Sequence, residues 1–158
     1  MSTVENTQTS EVTHTSSNWQ HTVSIVLVII GLLISGYLSY VKIVNVQTVC
    51  VQGSAFNCEV VTNSIYSRLF NVPIAYLGFA TNLVILALLL LEKRIGFLQE
   101  YGVLLQFGVI LFAFLFSVWL VYVQFFRLQA LCIWCLLHEL YVTLLFIISI
   151  VRLKRSLV

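Results

Sequence analysis

The chain has 158 residues, of which 60% are apolar and 9% charged, with a mean hydropathy of +1.02. A soluble domain carries about 25% charged residues, and a globule of this size cannot hide so much apolar surface. The composition thus excludes a soluble enzyme, a disordered protein and a nucleic-acid binder, and a net charge of +2 argues for no polyanion partner.

Residues 1–22 form a polar tail rich in Ser and Thr, expected to be disordered. The tail lacks a basic n-region, and the apolar run after it is too long for a signal core. An uncleaved first helix is therefore expected. A hydrocarbon core about 30 Å thick needs roughly 20 apolar residues of helix. Four stretches meet that need: 23–41, the uncharged run 69–91, 101–126, and the segment between Arg127 and Arg152, which only His138 and Glu139 interrupt. The expected fold is an all-α membrane protein. It is a four-transmembrane-helix bundle over 23–151, with a basic cytoplasmic tail over 152–158. Such spans are helical because lipid leaves the backbone to satisfy its own hydrogen bonds.

The joints are uneven. Residues 46–72 make a loop of 27 residues, long enough to suspect function. Residues 92–100 and 127–131 are short turns. With both termini inside, Lys93, Arg94, Arg152, Lys154 and Arg155 lie on the cytoplasmic side, and Lys42, Arg68 and Arg127 lie outside. This modest bias predicts a multi-pass protein with its long loop extracytoplasmic, facing a bacterial or archaeal exterior, a periplasm or an ER lumen; the plasma membrane is the expected location.

All four cysteines, Cys50, Cys58, Cys132 and Cys135, then fall on the outer side, where disulfides persist. Cys132-Ile133-Trp134-Cys135 is a C-x-x-C opening the fourth helix. Free amides at a helix start stabilise a thiolate, and the tight spacing lets the pair close reversibly. Redox chemistry is the favoured reading over a static crosslink or a zinc half-site. Cys50 and Cys58 stand eight positions apart in the long loop. Asn57 can cap a short helix opening at Cys58, with Glu59 in its first turn. Val60, Val61, Ser64, Ile65, Arg68 and Leu69 extend that helix with roughly helical spacing, laid on the membrane surface. This pair is either a loop-closing disulfide or a shuttle, and its C-x-x-C neighbour favours the shuttle. A zinc site of all four cysteines is disfavoured by the apolar setting of the C-x-x-C, so no metal is expected.

Glu139 lies four residues past Cys135 and seven past Cys132, on the same helix face. An ionisable group at that depth is either functional, hydrogen-bonding a ligand oxygen or relaying a proton, or part of an internal ion pair. His138 most simply makes a hydrogen bond or ion pair within the bundle. Phe112, Phe114, Phe116, Trp119 and Tyr122 suit interfacial belts and lipid-facing surface. Trp134, Phe70 and Tyr76 lie on the cysteine side, where flat faces suit a planar ring ligand. Pro73 marks the first turn of the second span. Gly31, Gly36, Gly102 and Gly108 allow close helix packing. No H-E-x-x-H, G-x-S-x-G or phosphate-binding glycine loop is present.

Two adjacent pairs can exchange electrons by thiolate attack, but the chain holds no further redox group to receive them. A lipid-soluble two-electron acceptor, a quinone of the menaquinone, ubiquinone or vitamin K type, meets that need.

The order of these features resembles the vitamin K epoxide reductase family: four helices, loop cysteines eight apart, Ser64 six residues after the second of them, and a C-x-x-C opening the fourth helix. DsbB-type quinone reductases are a poorer likeness, because their C-x-x-C lies in the first loop and here it comes last. The resemblance implies that Cys132 and Cys135 are the active-site pair, with Cys135 facing the quinone. It makes Cys50 and Cys58 a shuttle, Cys50 meeting a thioredoxin-like partner and Cys58 attacking Cys132. Ser64 would approach the quinone head group. With seven residues after Val151, the partner is expected to be a separate secreted or membrane-anchored protein. Vertebrate members carry tyrosine four residues past the second active-site cysteine, where this chain has Glu139, which counts against vertebrate-type epoxide reduction. That activity, and a non-enzymatic four-helix scaffold with structural disulfides, are the alternatives to a quinone-dependent thiol oxidase.

Overall fold

A computed structural model describes residues 2–50, 53, 56–92 and 94–158, with the side chains of residues 2–18 and Gln99 left aside. Lys93, counted above on the inner side, falls outside the described residues. In chain order the elements are α1 (Ser2–Val44), α2 (Cys58–Asn63), a 3-10 turn (Ile65–Ser67), β1 (Arg68–Leu69), β2 (Val72–Pro73), α3 (Ile74–Leu91), α4 (Gly96–Val123), a π-helical turn (Gln124–Leu128) and α5 (Ile133–Leu157).

Four helices are long and apolar enough to cross a membrane: Trp19–Val44, Ile74–Leu91, Glu100–Leu128 and Ile133–Leu157. The protein is an all-α, four-helix integral membrane protein. The first span starts before residue 23. Gln20 and Ser24 are buried, and His21 Nε2 lies 3.0 Å from the Leu89 carbonyl oxygen. The helical backbone of α1 extends back to Ser2. No proline or glycine interrupts residues 2–22, so a helix already nucleated in the span can propagate outward.

The second span is shorter than its apolar run. Arg68–Leu69 pairs antiparallel with Val72–Pro73, and the two-residue turn between them holds Phe70 and Asn71 at φ 49° and 67°. Positive φ at both central residues is the geometry of a type I′ hairpin turn. Pro73, whose ring fixes φ and removes a donor, then caps α3. The surface helix is shorter too. Asn57 Oδ1 accepts the Val60 N–H as expected of a cap, but α2 ends at Asn63, because Ser64 turns extended at ψ 159°.

Each spanning helix packs on two neighbours, in the ring order α1, α3, α4, α5. Val28, Ile85, Leu89, Ile110, Tyr141, Val142 and Leu145 form the interior, while Leu33, Phe112, Leu115 and Leu140 face outward, as lipid permits. Gly31 has a specific reason to be glycine. An added Cβ would stand 2.7 Å from Tyr141 Cε1, so the absence of a side chain admits the ring. Gly108 is not explained this way, since nothing lies within 4 Å of its would-be Cβ. At the end away from the cysteines, Arg152 Nη2 pairs with both Glu92 oxygens at 2.9 and 2.8 Å, and Nη1 donates to Gln106 Oε1 at 2.8 Å. These contacts join α5, α4 and the end of α3.

Candidate redox and quinone site

The loop folds back onto the start of α5 through its backbone. Phe56 bridges Leu131 in parallel, and the Asn57 N–H donates to the Leu131 carbonyl at 3.0 Å. Trp134 Nε1 reaches the other way and donates to the Val49 carbonyl at 2.7 Å. Between these ties all four sulfurs gather. Cys58 and Cys132 are buried in one cluster with Val61 and Ala130, and Cys50 and Cys135 pack against it. Cys50 and Cys58 are joined as a disulfide, with Cα atoms 6.0 Å apart, while Cys132 and Cys135 are free thiols. Cys50 is half-buried and Cys58 only 2% exposed. An outside thiolate therefore meets Cys50 first, and Cys58 faces inward toward Cys132.

Cys132 occupies the cap position of α5. A hydrogen bond from the Cys135 thiol, aided by the backbone amides of Cys135 and Trp134, outweighs burial and holds the Cys132 thiol down at about 7. The free amides of the helix start thus contribute, but the partner sulfur contributes most. The Cys132 N–H is itself satisfied by Gln124 Oε1 at 3.1 Å. Gln124 is buried at the start of the π-helical turn, a kind of irregularity frequent at functional sites. Reading the sequence passed over this residue, although a glutamine deep in an apolar span is itself a signal.

Cys135 opens onto a cavity of about 390 Å³ between the helices and beneath the loop. Its size falls in the range of small-molecule sites, roughly 300–1,000 Å³, and its largely apolar wall with a few polar groups matches their usual character. Ser64, Tyr66 and Lys42 line it near the loop. Lys42 Nζ donates to Asn63 Oδ1 at 2.6 Å, and the Ser64 hydroxyl donates to the Val61 carbonyl at 2.8 Å. Glu139 lines the wall beside Ser117, whose hydroxyl donates to Glu139 Oε2, and Thr143 also hydrogen-bonds the carboxyl group. Deeper, Tyr141 donates to Asn82 Oδ1, and Asn82 Nδ2 donates to the Gly78 carbonyl at 3.0 Å. An apolar chamber with a few polar groups along its wall has the character of a site for a flat, apolar ring that carries polar oxygens, as a quinone does.

Of the expected site residues, the four cysteines, Ser64 and Glu139 come together here. Trp134, Phe70 and Tyr76 do not line the cavity. Trp134 packs on Tyr37, ring centroids 4.7 Å apart, because it sits about 100° around the helix from Cys135. Phe70 is 94% exposed at the hairpin tip. His138, expected to be satisfied inside the bundle, instead faces the cavity. Sequence reading also missed Ser117, Asn82 and Tyr141. No cluster of three or more metal-binding side chains occurs among the described residues.

Comparison with individually curated proteins gives no match. The description of the vitamin K epoxide reductase family matches residues 22–150, and the four cysteines and the cavity lie within that match: the chain belongs to the vitamin K epoxide reductase family, whose members are membrane oxidoreductases of thiols and quinones.

Proposed function

We propose that the protein oxidises an extracytoplasmic thioredoxin-like partner and delivers the electrons to a quinone, promoting disulfide formation outside the cytoplasm. The partner's thiolate attacks Cys50, and the partner leaves oxidised with Cys50 and Cys58 reduced. Cys58 then attacks Cys132 of the oxidised C-x-x-C, and the Cys50–Cys58 disulfide is restored as Cys132 and Cys135 become thiols. Closing the Cys132–Cys135 bond releases two electrons, which reduce the quinone to its hydroquinone with two protons. The protein's contribution is to hold the acceptor against Cys135 in a dry chamber and to keep Cys132 as a thiolate.

One observation carries this reading: a free thiol pair shares a cluster with a loop disulfide on one side and opens on a ligand-sized cavity on the other. A scaffold held by two structural disulfides has no use for such a pair. The test is expression of Cys135→Ala in cells lacking their own disulfide-forming oxidase. Loss of disulfide formation is expected, and full retention rejects the assignment. Purified protein assayed with a quinone and with its epoxide separates thiol oxidation from epoxide reduction.

A further inference from the structure

Among the described residues His138 is the one imidazole on the cavity wall, and the chemistry above gives it no task. Its setting is unusual for a histidine inside a membrane bundle. Neither ring nitrogen has a hydrogen-bond partner among the described residues. Its ring stands edge-on to Tyr141, centroids 5.0 Å apart. Gly78 stands on the neighbouring wall, where even a Cβ would lie 3.9 Å from His138 Nε2, so this side of the ring is uncrowded. An ionisable group placed at membrane depth without a protein partner is costly unless it serves a ligand. The helix also places it beside the reacting sulfur. His138 follows Cys135 by three residues, so the two side chains are neighbours on one face, their Cβ atoms about 5–6 Å apart.

We propose that His138 is a catalytic proton carrier, taking the proton of the Cys135 thiol and passing it to one oxygen of the quinone. The inference rests on the quinone-reducing function above. The balance is as follows. Cys132, already a thiolate, and Cys135 form the S–S bond. The Cys135 S–H bond breaks and an N–H bond forms on His138. The electron pair passes to the quinone. The His138 N–H then breaks as an O–H bond forms on the nearer quinone oxygen. The second proton comes from water at the loop end of the cavity, replacing the one Cys132 gave up on becoming a thiolate. Neutral imidazole suits both halves of this task, since one nitrogen accepts while the other donates. The other titratable side chains on the wall are placed less well. Lys42 is engaged with Asn63, Tyr141 with Asn82, and Glu139 with Ser117. Tyr66 comes from the loop.

The full chain in lipid nanodiscs, with dithiothreitol as reductant and menadione as acceptor, tests this. Two variants are compared with the wild type. His138→Gln keeps a hydrogen-bond donor but cannot carry a proton, and His138→Ala leaves a hole the size of imidazole. Both are expected to lower kcat for menadione reduction by about 100-fold, the scale of general acid–base catalysis, with KM little changed. Thiol trapping should then show Cys132 and Cys135 accumulating as thiols, while dithiothreitol reduces Cys50–Cys58 at the wild-type rate. Added imidazole should restore turnover to His138→Ala, which a packing defect would not allow. Wild-type turnover by His138→Gln, or no response of His138→Ala to imidazole, overturns the carrier role alone. A wild-type protein that consumes dithiol without reducing menadione overturns the function, and the role of His138 with it.

Discussion

Removing the Cys135 thiol should change the acidity of Cys132. Cys132 is buried at the cap of α5, and burial alone would raise its thiol above the ordinary 9.0, yet it stands at about 7. The largest cause is the hydrogen bond from Cys135, which favours the charged form; the Cys135 and Trp134 amides add to it. The displacement corresponds to about 2.7 kcal/mol in favour of the thiolate, so at pH 7 about half of Cys132 is ionised, against about 1% for an unperturbed thiol. In Cys135→Ala the donor is gone while burial and the two amides remain, so the midpoint should climb from about 7 toward the ordinary 9.0. Thiolate at pH 7 should then fall, by about 50-fold if the whole displacement is lost. The assay is ultraviolet thiolate absorbance against pH, in a background with Cys50 and Cys58 replaced by alanine so that only the C-x-x-C titrates. In the intact pair, absorbance should rise through about pH 7, and the resolving capacity of Cys132 with it. A midpoint of about 7 that survives Cys135→Ala would refute the reasoning, and would assign the effect to the helix start alone.

Two further outcomes concern the bundle. Gly31→Ala should destabilise it by about 1–3 kcal/mol, the range for overpacking, because the new methyl meets the Tyr141 ring. Thermal unfolding in detergent reads this, and in a Tyr141→Ala background, itself destabilised by the lost ring, Gly31→Ala should cost little more. Arg152→Leu strands the Glu92 carboxylate, 17% exposed in the pair, and should cost about 3–5 kcal/mol. Adding Glu92→Gln should relieve most of that cost in the same melt, since it removes the unpaired charge.

The four spans were legible because lipid imposes one rule, a long apolar helix, and the sequence obeys it four times. The loop's short helix was legible through Asn57, whose side chain has one obvious use before Cys58. Its length was not, since Val60, Ile65 and Leu69 keep helical spacing past the point where Ser64 turns extended. The start of the second span was not legible for a related reason: 69–91 is uncharged throughout, and only the turn at Phe70 and Asn71 shows that its first residues run as a hairpin. Cys132 and Cys135 are marked by their C-x-x-C, Cys50 and Cys58 by their place in the long loop, and Glu139 by the helical spacing that sets it on the face of Cys135. The same spacing argued against Trp134, which no multiple of three or four connects to Cys135 or Glu139; its position within the motif outweighed its angle. Ser117, Asn82 and Gln124 come from helices with no local motif, and only the three-dimensional approach of α3 and α4 to α5 gives them a role.

The ties that dock the loop have a protective consequence. Two bonds, Asn57 to Leu131 and Trp134 to Val49, hold the disulfide segment over the C-x-x-C, and each is worth only about 1 kcal/mol net. Releasing both costs about 2 kcal/mol, and lifting the segment would also expose the apolar cluster of Cys58, Val61, Ala130 and Cys132, so the docked arrangement is strongly favoured. The inner sulfurs are thereby kept from stray oxidants, and a visiting protein is received by Cys50 at the rim.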